Sequence, residues 1–212
     1  SRVFNEKNIP DIIKEVLEEM AWADGTDFEL RLTGSYPVRE YVVQYEESDF
    51  AFLSRWMERC GIFYFFTHED GCDKLVMTDA NSELVAVADH PDCIYSGISE
   101  ARAIGGIYAM TRRHRKMSKR VECRDFNWRS PGTPIKGEHD VDSSFGTGDV
   151  YHYGDHFKDD AEGALMAQVR AESLGVQKTT FRGTTVHPDF GPGYRFRVTD
   201  SPVGELDLKY II

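Results

Sequence analysis

The sequence is poor in cysteine and contains no familiar catalytic motif. Its 212 residues include four cysteines, and none forms a Cys-x-x-Cys pair, which argues against a zinc ribbon. It has no Gly-x-Ser-x-Gly elbow, no phosphate-binding Walker loop, no Gly-x-Gly-x-x-Gly and no His-Glu-x-x-His. These absences disfavour the common hydrolase, nucleotide-binding and zinc-protease classes. We therefore expect no catalytic residues, no cofactor and no metal.

Long hydrophobic runs are also missing. No apolar stretch approaches the roughly 20 residues that a membrane-spanning helix needs. The first ten residues, SRVFNEKNIP, resemble neither a signal peptide nor a lipidation site. A composition of 41% hydrophobic and 29% charged residues is typical of a soluble globular protein. Sparse cysteine usage fits folding in a reducing cytosol, and disulfide formation between two of the cysteines is the alternative.

Positive charge is scarce in the first half of the chain. The net charge is −11, and residues 1–100 hold 8 basic and 21 acidic side chains, whereas residues 101–212 hold 17 and 15. This asymmetry predicts two units with different surfaces, and the overall acidity argues against nucleic-acid binding. The one basic run is interpreted as a solvated β-hairpin or as a contact with an acidic protein partner. It comprises Arg112, Arg113, Arg115, Lys116, Lys119 and Arg120.

Residues 41–66, YVVQYEESDFAFLSRWMERCGIFYFF, form the most regular stretch. A β-rich run is followed by Ser48, which can cap a helix with apolar residues at helical spacing, and Gly61 can end that helix. Residues 62–66 are apolar at odd and even positions, which predicts a strand covered on both faces. We expect Trp56 and this strand to hold the unit rigid.

The remaining pattern predicts an α+β unit followed by a β-rich unit with one long helix. A capped helix follows Asn8, and a strand begins at Phe28. Further strands are expected over residues 74–78, 107–115, 120–128, 150–153, 177–186, 194–199 and 205–212. Residues 136–148 are polar and are expected to form a loop, and a helix is expected over 159–174. A boundary is expected between residues 89 and 106, where Gly and Pro cluster.

Two clusters contain possible metal ligands. The first is His152, Asp155 and His156, and the second is His68 with its acidic neighbours and Cys72. Metal sites require ligand geometry that spacing alone does not establish, and both clusters fit loops rich in turn-forming residues. We favour the loop interpretation for both.

Several long segments carry a family resemblance. They are RVFNEKNIPDIIKEVL, GSYPVREYVVQYEESDFAFLSRWMERCGIFYFFTHEDG, LVMTDANS, YHYGDHFKDDAEGALMAQVRAES and PGYRFRVTD. With these segments the chain resembles the N-terminal hub region of VgrG, the spike protein of type VI secretion systems. The D-type tail protein of contractile phages is the nearest alternative. The final strand still alternates at Ile212 and the chain begins at Ser1, which together predict a piece of a longer protein.

The resemblance implies a fold, an assembly and a location. The implied fold is α+β and baseplate hub-like, with residues 1–95 as a decorating α+β domain and 96–212 as a mostly antiparallel, barrel-like tube domain. The implied assembly is a homotrimer in the full-length protein, which caps the Hcp hexamer tube and contacts baseplate proteins. Missing C-terminal parts would carry the needle, the PAAR tip protein and effectors. The protein would assemble in the cytoplasm and then be translocated into a target cell.

A mechanical role of this kind needs interfaces instead of catalytic residues. From charge and strand pattern, we expect the interface to involve Arg112, Arg113, Arg115 and Lys116, together with Arg195 and Arg197 on a later strand. Two other classes stay open: a cell-wall hydrolase, which would need a cleft with two close carboxylates, and an adaptor that carries an effector.

Overall fold

The computed structural model describes residues 1–69, 71–87, 92–95 and 106–212. The described helices are α1 (Ile9–Glu19), α2 (Asp49–Cys60) and α3 (Asp160–Gly175). The described strands are β1 (Arg2–Lys7), β2 (Phe28–Arg31), β3 (Arg39–Gln44), β4 (Phe63–Glu69), β5 (Cys72–Thr78), β6 (Val85–Ala86), β7 (Asp92–Ile94), β8 (Ile107–His114), β9 (Arg120–Asp125), β10 (Ile135–Asp140), β11 (Asp149–Tyr153), β12 (Thr179–Thr185), β13 (Tyr194–Thr199) and β14 (Lys209–Ile211). Backbone contacts divide the chain into two compact units. The first contains Ser1–Tyr108 and Thr185–Ile212, and the second contains Ala109–Thr184.

The first unit is built on two capped helices, both as predicted. Asn8 accepts a hydrogen bond from the Asp11 amide (2.8 Å) at the start of α1, and Ser48 accepts one from the Ala51 amide (3.2 Å) at the start of α2. Gly61 ends α2 in the left-handed conformation with φ of 72°, where a side chain would be strained. Local sequence therefore sets both helix boundaries.

The helices bury their apolar stripes against a two-stranded sheet. Strands β1 and β3 pair antiparallel, with Phe4 opposite Val42, and both of these side chains are buried in the main core. Phe4 stacks on Phe52 of α2 with ring centroids 5.6 Å apart. The pairing strand β1 was not predicted from the sequence, because RVFNEK has no clear alternation.

Two further sheets complete the first unit. One has the order β2-β5-β4, with a parallel β2–β5 pair and an antiparallel β4–β5 hairpin. In the other, β13 pairs antiparallel with β14 and parallel with β6 and β7. The turn before β13 lies directly on β4, since a Cβ added to Gly193 would be 2.3 Å from Cβ of Phe65. The C-terminal strands thus belong to the same compact unit as the N-terminal helices.

The second unit packs α3 on a three-stranded sheet of order β10-β9-β11. Asp159 caps the helix by accepting from the Glu162 amide (2.9 Å). The helix presents small or flexible side chains, Ala167, Ala171 and Met166, to Val121 and Cys123 of β9. Strands β8 and β12 form a separate two-stranded ribbon.

Three local predictions were wrong. Residues 136–148 were expected to form a loop, but β10 occupies Ile135–Asp140 because Gly137 lets this polar strand approach α3 closely. The strand β4 is not covered throughout, since Phe63, Tyr64 and Phe66 are 36%, 41% and 43% exposed. It is an edge strand, and the core covers mainly its neighbour β5.

The prediction that the basic run forms a β-hairpin was also wrong. Strand β8 pairs with β12, while β9 pairs with β10 and β11. Of these two strands, only β9 carries two buried apolar residues, Val121 and Cys123, that pack in the α3 core. The two strands therefore enter different sheets.

The architecture is α+β and composed mainly of strands, as predicted. The sheets formed by the described residues are open and contain two to four strands. The two compact units differ in extent from the ranges 1–95 and 96–212, since β13 and β14 belong to the first unit. The division into a decorating domain and a tube domain within the assembled protein stays a prediction. Much of the predicted boundary at residues 89–106 lies outside the described residues.

Candidate functional site

The β8–β12 ribbon carries four of the six predicted interface residues. Arg112 and Arg113 lie on β8, Arg115 and Lys116 follow it, and all four are exposed. The end of the ribbon is fixed by the Arg115 amide, which donates to the Lys178 carbonyl (2.9 Å). The Arg115 side chain also donates to Gln177 Oε1 (3.2 Å). The backbone is therefore held while the cationic groups face solvent.

The ribbon has no acidic residue on either strand. Its sequences are IYAMTRRH and TTFRGTT, so β12 contributes a further exposed arginine, Arg182. Sequence reasoning missed Arg182 because only the strand pairing connects it with β8. An exposed single-sign surface of this kind favours association with an acidic partner.

Arg195 and Arg197 lie in the first unit, on the outward face of β13. They alternate with the half-buried Phe196 and the buried Val198. Across the antiparallel pair, Arg197 lies opposite Lys209, which is also exposed. Arg197 Nε lies 3.8 Å from Asp92 Oδ1 on β7, so one of these cations has an exposed ionic neighbour.

A shallow depression of about 470 Å³ lies beside this cationic face. Its lining residues are Arg197, Val198, Thr199, Asp207, Leu208 and Lys209. It contains two cations and one carboxylate, and so lacks the carboxylate pair that glycoside hydrolysis requires. Its chemistry suits polar contact with a protein surface.

The two clusters of possible metal ligands make other contacts. Asp155 accepts a hydrogen bond from Arg170 Nη2 (2.5 Å). The amide of Phe157, which follows His156, donates to Asp125 Oδ2 (3.2 Å). Burial lowers the pKa of His152, and the nearby Arg170 lowers it further. Within the described ranges, no group of three or more His, Cys, Asp or Glu side chains is arranged to hold a metal ion.

The second cluster lies at the β4–β5 hairpin. His68 Nδ1 lies 2.6 Å from Asp73 Oδ1, and both side chains are largely exposed. Cys72 is an exposed free thiol. Asp70, which belongs to this cluster of possible ligands, lies outside the described residues. The arrangement is an exposed hydrogen-bonded pair on the paired strands β4 and β5.

The described helices were compared with the length and hydropathy that a membrane-spanning helix needs. None of them is both long enough and apolar enough to cross a bilayer.

Comparison with known proteins identifies the family. A family model described as the phage tail baseplate hub (GPD) matches residues 1–212. The chain belongs to the phage tail baseplate hub family. Its relatives in this family include structural spike proteins, and the recognised resemblance to VgrG is confirmed.

Two curated relatives are much longer than this hub chain. The type VI secretion system spike protein VgrG1b of Pseudomonas aeruginosa is 28% identical over 214 residues, which cover 100% of the chain and 28% of the relative. The actin cross-linking toxin VgrG1 of Vibrio cholerae is 28% identical over 215 residues, covering 100% of the chain and 19% of the relative. The hub chain therefore spans less than a third of these relatives.

Solved structures show the same fold at lower identity. One is the E. coli c3393 protein, described as a type VI secretion component with structural similarity to the T4 bacteriophage tail proteins gp27 and gp5. It has a TM-score of 0.66 and 18% identity, covering 100% of the hub chain and 45% of that chain. The 43 kDa tail protein of prophage MuSo2 from Shewanella oneidensis has a TM-score of 0.66 and 14% identity. The match covers 99% of the hub chain and 61% of the tail protein.

Proposed function

We propose that this chain is part of the hub of a type VI secretion spike and acts as a structural component without catalytic activity. The observation that carries the proposal is the match along the entire chain: the hub family covers residues 1–212, and VgrG1b is 28% identical over that whole length. In this role the protein transmits force while staying folded. The free energy comes from contraction of the secretion machine.

The proposed assembly is a homotrimer in the full-length protein. Residues 96–212 contribute a barrel-like tube domain, and residues 1–95 decorate its outside. A ring that faces the Hcp tube needs exposed polar strand surfaces, and the solvent-facing β8–β12 ribbon supplies one. Baseplate proteins bind the hub. Further parts of the full-length protein carry the needle, a PAAR tip protein and effectors. Assembly takes place in the cytoplasm and precedes translocation.

The proposed contact with the end of the Hcp tube is electrostatic. It uses Arg112, Arg113, Arg115 and Lys116 on the ribbon, and Arg195 and Arg197 on β13. All six side chains are exposed, so they can approach a partner without unfolding any core. Contacts between exposed charges weaken as ionic strength rises, because the Debye length falls to about 8 Å at physiological salt.

Co-sedimentation with preformed Hcp tubes tests the proposal. The wild-type protein should pellet with the tubes, and the triple variant Arg112→Glu, Arg113→Glu, Arg115→Glu should stay in the supernatant. A control variant with Lys14→Glu, Arg129→Glu and Lys158→Glu has the same net charge and should pellet like wild type. Equal pelleting of both variants would refute the assigned contact residues. A wild-type protein that never pellets would refute the Hcp partner itself.

A contractile-phage tail hub is the second candidate. The prophage tail protein from Shewanella oneidensis has the same TM-score, 0.66, as the secretion component from E. coli. The fold is therefore shared by both machines. Offering Hcp tubes and phage tail tubes in parallel separates the two functions, because a secretion hub should prefer the former.

A further inference from the structure

Three cations share the outward face of the sheet around β13. Arg195 and Arg197 lie two residues apart on β13, and Lys209 lies directly opposite Arg197 on β14. All three side chains are exposed. They are the only lysine and arginine residues between positions 185 and 212, so every lysine and arginine of this segment lies on one face. We define these three residues as the β13 cationic face.

Two of these cations are close enough to repel each other. The Val198 amide donates to the Leu208 carbonyl (3.0 Å), which makes these two residues a hydrogen-bonded pair. The neighbouring pair, Arg197 and Lys209, is therefore of the non-hydrogen-bonded kind, in which side chains lie closer together. Cβ atoms in such pairs are roughly 4.5–5.5 Å apart, and like charges directly opposite destabilise a sheet. The fold thus holds two cations together at a cost in stability.

The protein's own carboxylates offset this charge only in part. Asp92 Oδ1 on β7 lies 3.8 Å from Arg197 Nε, but both side chains are largely open to solvent, where an ion pair contributes little. Arg195 and Lys209 form no ion pair with any other described residue. One oxygen of Asp207, close to Lys209 in the chain, already accepts from a backbone amide at 2.9 Å. The β13 cationic face can therefore bind carboxylates of a partner.

A depression gives a partner access to the paired cations. Its volume is about 470 Å³, and its lining includes both Arg197 and Lys209. Asp92 approaches Arg197 most closely at Nε, so the two terminal nitrogens of this guanidinium can donate to another carboxylate. Hydrogen bonds between charged partners are about twice as strong as neutral ones. A carboxylate between Arg197 and Lys209 would contact both and remove their repulsion.

The third cation specifies the form of the partner. Arg195 and Arg197 lie on the same face of one strand, two residues and roughly 6.6–6.8 Å apart. Carboxylates at alternate positions of an extended segment have the same spacing. Strand β13 is paired with β14 on one side and with β6 and β7 on the other. The segment therefore lies on the face of β13 and does not extend the sheet.

We propose that the β13 cationic face binds an extended acidic segment of a protein partner, with carboxylates at alternate positions. One carboxylate lies between Arg197 and Lys209, and the next lies at Arg195. The assignment rests on the proposed function, in which Arg195 and Arg197 contact the Hcp tube, and it adds Lys209 as a contact residue. The acidic charges elsewhere on the chain are screened beyond about 8 Å at physiological salt, so the adjacent cations dominate binding.

Two short peptides test the spacing. Acetylated and amidated Gly-Glu-Ser-Glu-Gly presents both carboxylates on one face when extended, whereas Gly-Glu-Glu-Ser-Gly presents them on opposite faces. Each peptide is titrated into isotope-labelled protein at constant ionic strength, and binding is followed by NMR. The alternating peptide should bind at least about threefold more tightly, a difference of roughly 0.65 kcal/mol, because both of its carboxylates reach a cation. Amide shifts should centre on β13 and β14.

Variants of Lys209 separate binding from stability. Lys209→Glu replaces the repulsion with a cross-strand ion pair to Arg197, so the urea midpoint should rise while binding of the alternating peptide falls at least about tenfold. Lys209→Arg keeps the charge and should bind the peptide like wild type. Lys14→Glu makes the same charge change on α1 and should leave peptide binding unchanged. A purely structural role for Lys209 would not raise stability when the charge is reversed.

Co-sedimentation with Hcp tubes separates the carboxylate site from the proposed tube contact. Loss of peptide binding together with reduced pelleting of Lys209→Glu would support both. Peptide binding at β13 by a wild-type protein that never pellets would support the site and refute the tube as its partner. Normal pelleting of Lys209→Glu, combined with equal binding of the two peptides, would overturn the site and leave the ribbon contact standing. Amide shifts confined to β8 and β12 would also overturn it.

Discussion

Gly137 on β10 and Gly163 on α3 meet backbone to backbone. A Cβ added to Gly137 would lie 2.0 Å from the carbonyl carbon of Gly163. The contact lets the helix lie close enough for Ala167 and Ala171 to fill the core above Val121. Two glycines distant in sequence therefore set the spacing of the second unit.

The first prediction concerns this contact. Gly137→Ala should lower the free energy of unfolding by about 3 kcal/mol or more, because backbone atoms cannot give way as a flexible side chain can. Gly132→Ala is a matched control, since a Cβ there meets no atom within 4 Å, and it should change stability by less than about 0.5 kcal/mol. Urea unfolding followed by circular dichroism measures both. Equal midpoints for the two variants would contradict the close packing.

The second prediction concerns Trp56, which is half-buried against the main core. Guanidinium carbons of Arg39, Arg55 and Arg59 lie 5.1, 5.4 and 5.6 Å from the Trp56 ring centroid. Trp56→Ala should cost about 2–4 kcal/mol, because it removes apolar packing and cation–π contacts together.

Two further variants serve as references for the stability loss in Trp56→Ala. Trp56→Phe keeps a ring beneath the arginines and should lose less than half as much stability as Trp56→Ala. Trp128→Ala removes a tryptophan that is 72% exposed and should be almost neutral. A Trp56→Ala loss below about 1 kcal/mol would mean that the arginines and the ring contribute little to the folded state.

The third prediction concerns Asp79, whose carboxylate ties the segment after β2 to the end of β5. It accepts from the Thr33 amide (2.8 Å), the Thr33 hydroxyl (2.9 Å), the Gly34 amide (2.7 Å) and the Tyr36 hydroxyl (2.8 Å). Burial opposes ionisation, but hydrogen bonds from Thr33, Gly34 and Tyr36 outweigh it and lower the pKa of Asp79. Asp79→Ala should cost about 1.5–3 kcal/mol near pH 7.

The acid dependence of stability gives a second measurement on Asp79. Because its folded pKa lies below the unfolded value, the carboxylate stabilises the fold above the unfolded pKa of about 3.9, and this contribution is lost as pH falls through the folded pKa. Asp79→Asn should therefore flatten the decline in urea midpoint at acidic pH. An unchanged slope would show that Asp79 does not titrate differently in the folded protein.

The fourth prediction concerns His152 on β11. Burial and the neighbouring Arg170 lower its pKa in the folded state, while Asp155 opposes this. The unfolded chain then binds a proton more readily than the folded one, so stability should fall as pH drops below about 6.5. His152→Asn should reduce the difference in urea midpoint between pH 7.5 and pH 5. An NMR titration in which the His152 ring protonates above pH 6.5 would contradict this.

Several features were determined by the sequence alone. Helix boundaries depend on single residues acting locally, so Asn8, Ser48 and Gly61 could be assigned from the sequence. The alternation in Tyr194–Thr199 predicted β13 correctly, because a side chain's face in a strand depends only on its position. The long matching segments likewise identified the hub family.

Tertiary structure decided which strands pair and which faces stay exposed. Arg182 joins the basic surface only because β12 pairs with β8. The sequence FYFF at positions 63–66 predicts a strand covered on both faces, yet Phe63, Tyr64 and Phe66 are exposed, because β4 is the last strand of its sheet among the described residues. Strand pairing and edge position depend on segments far apart in the chain, and local propensity carries no information about them.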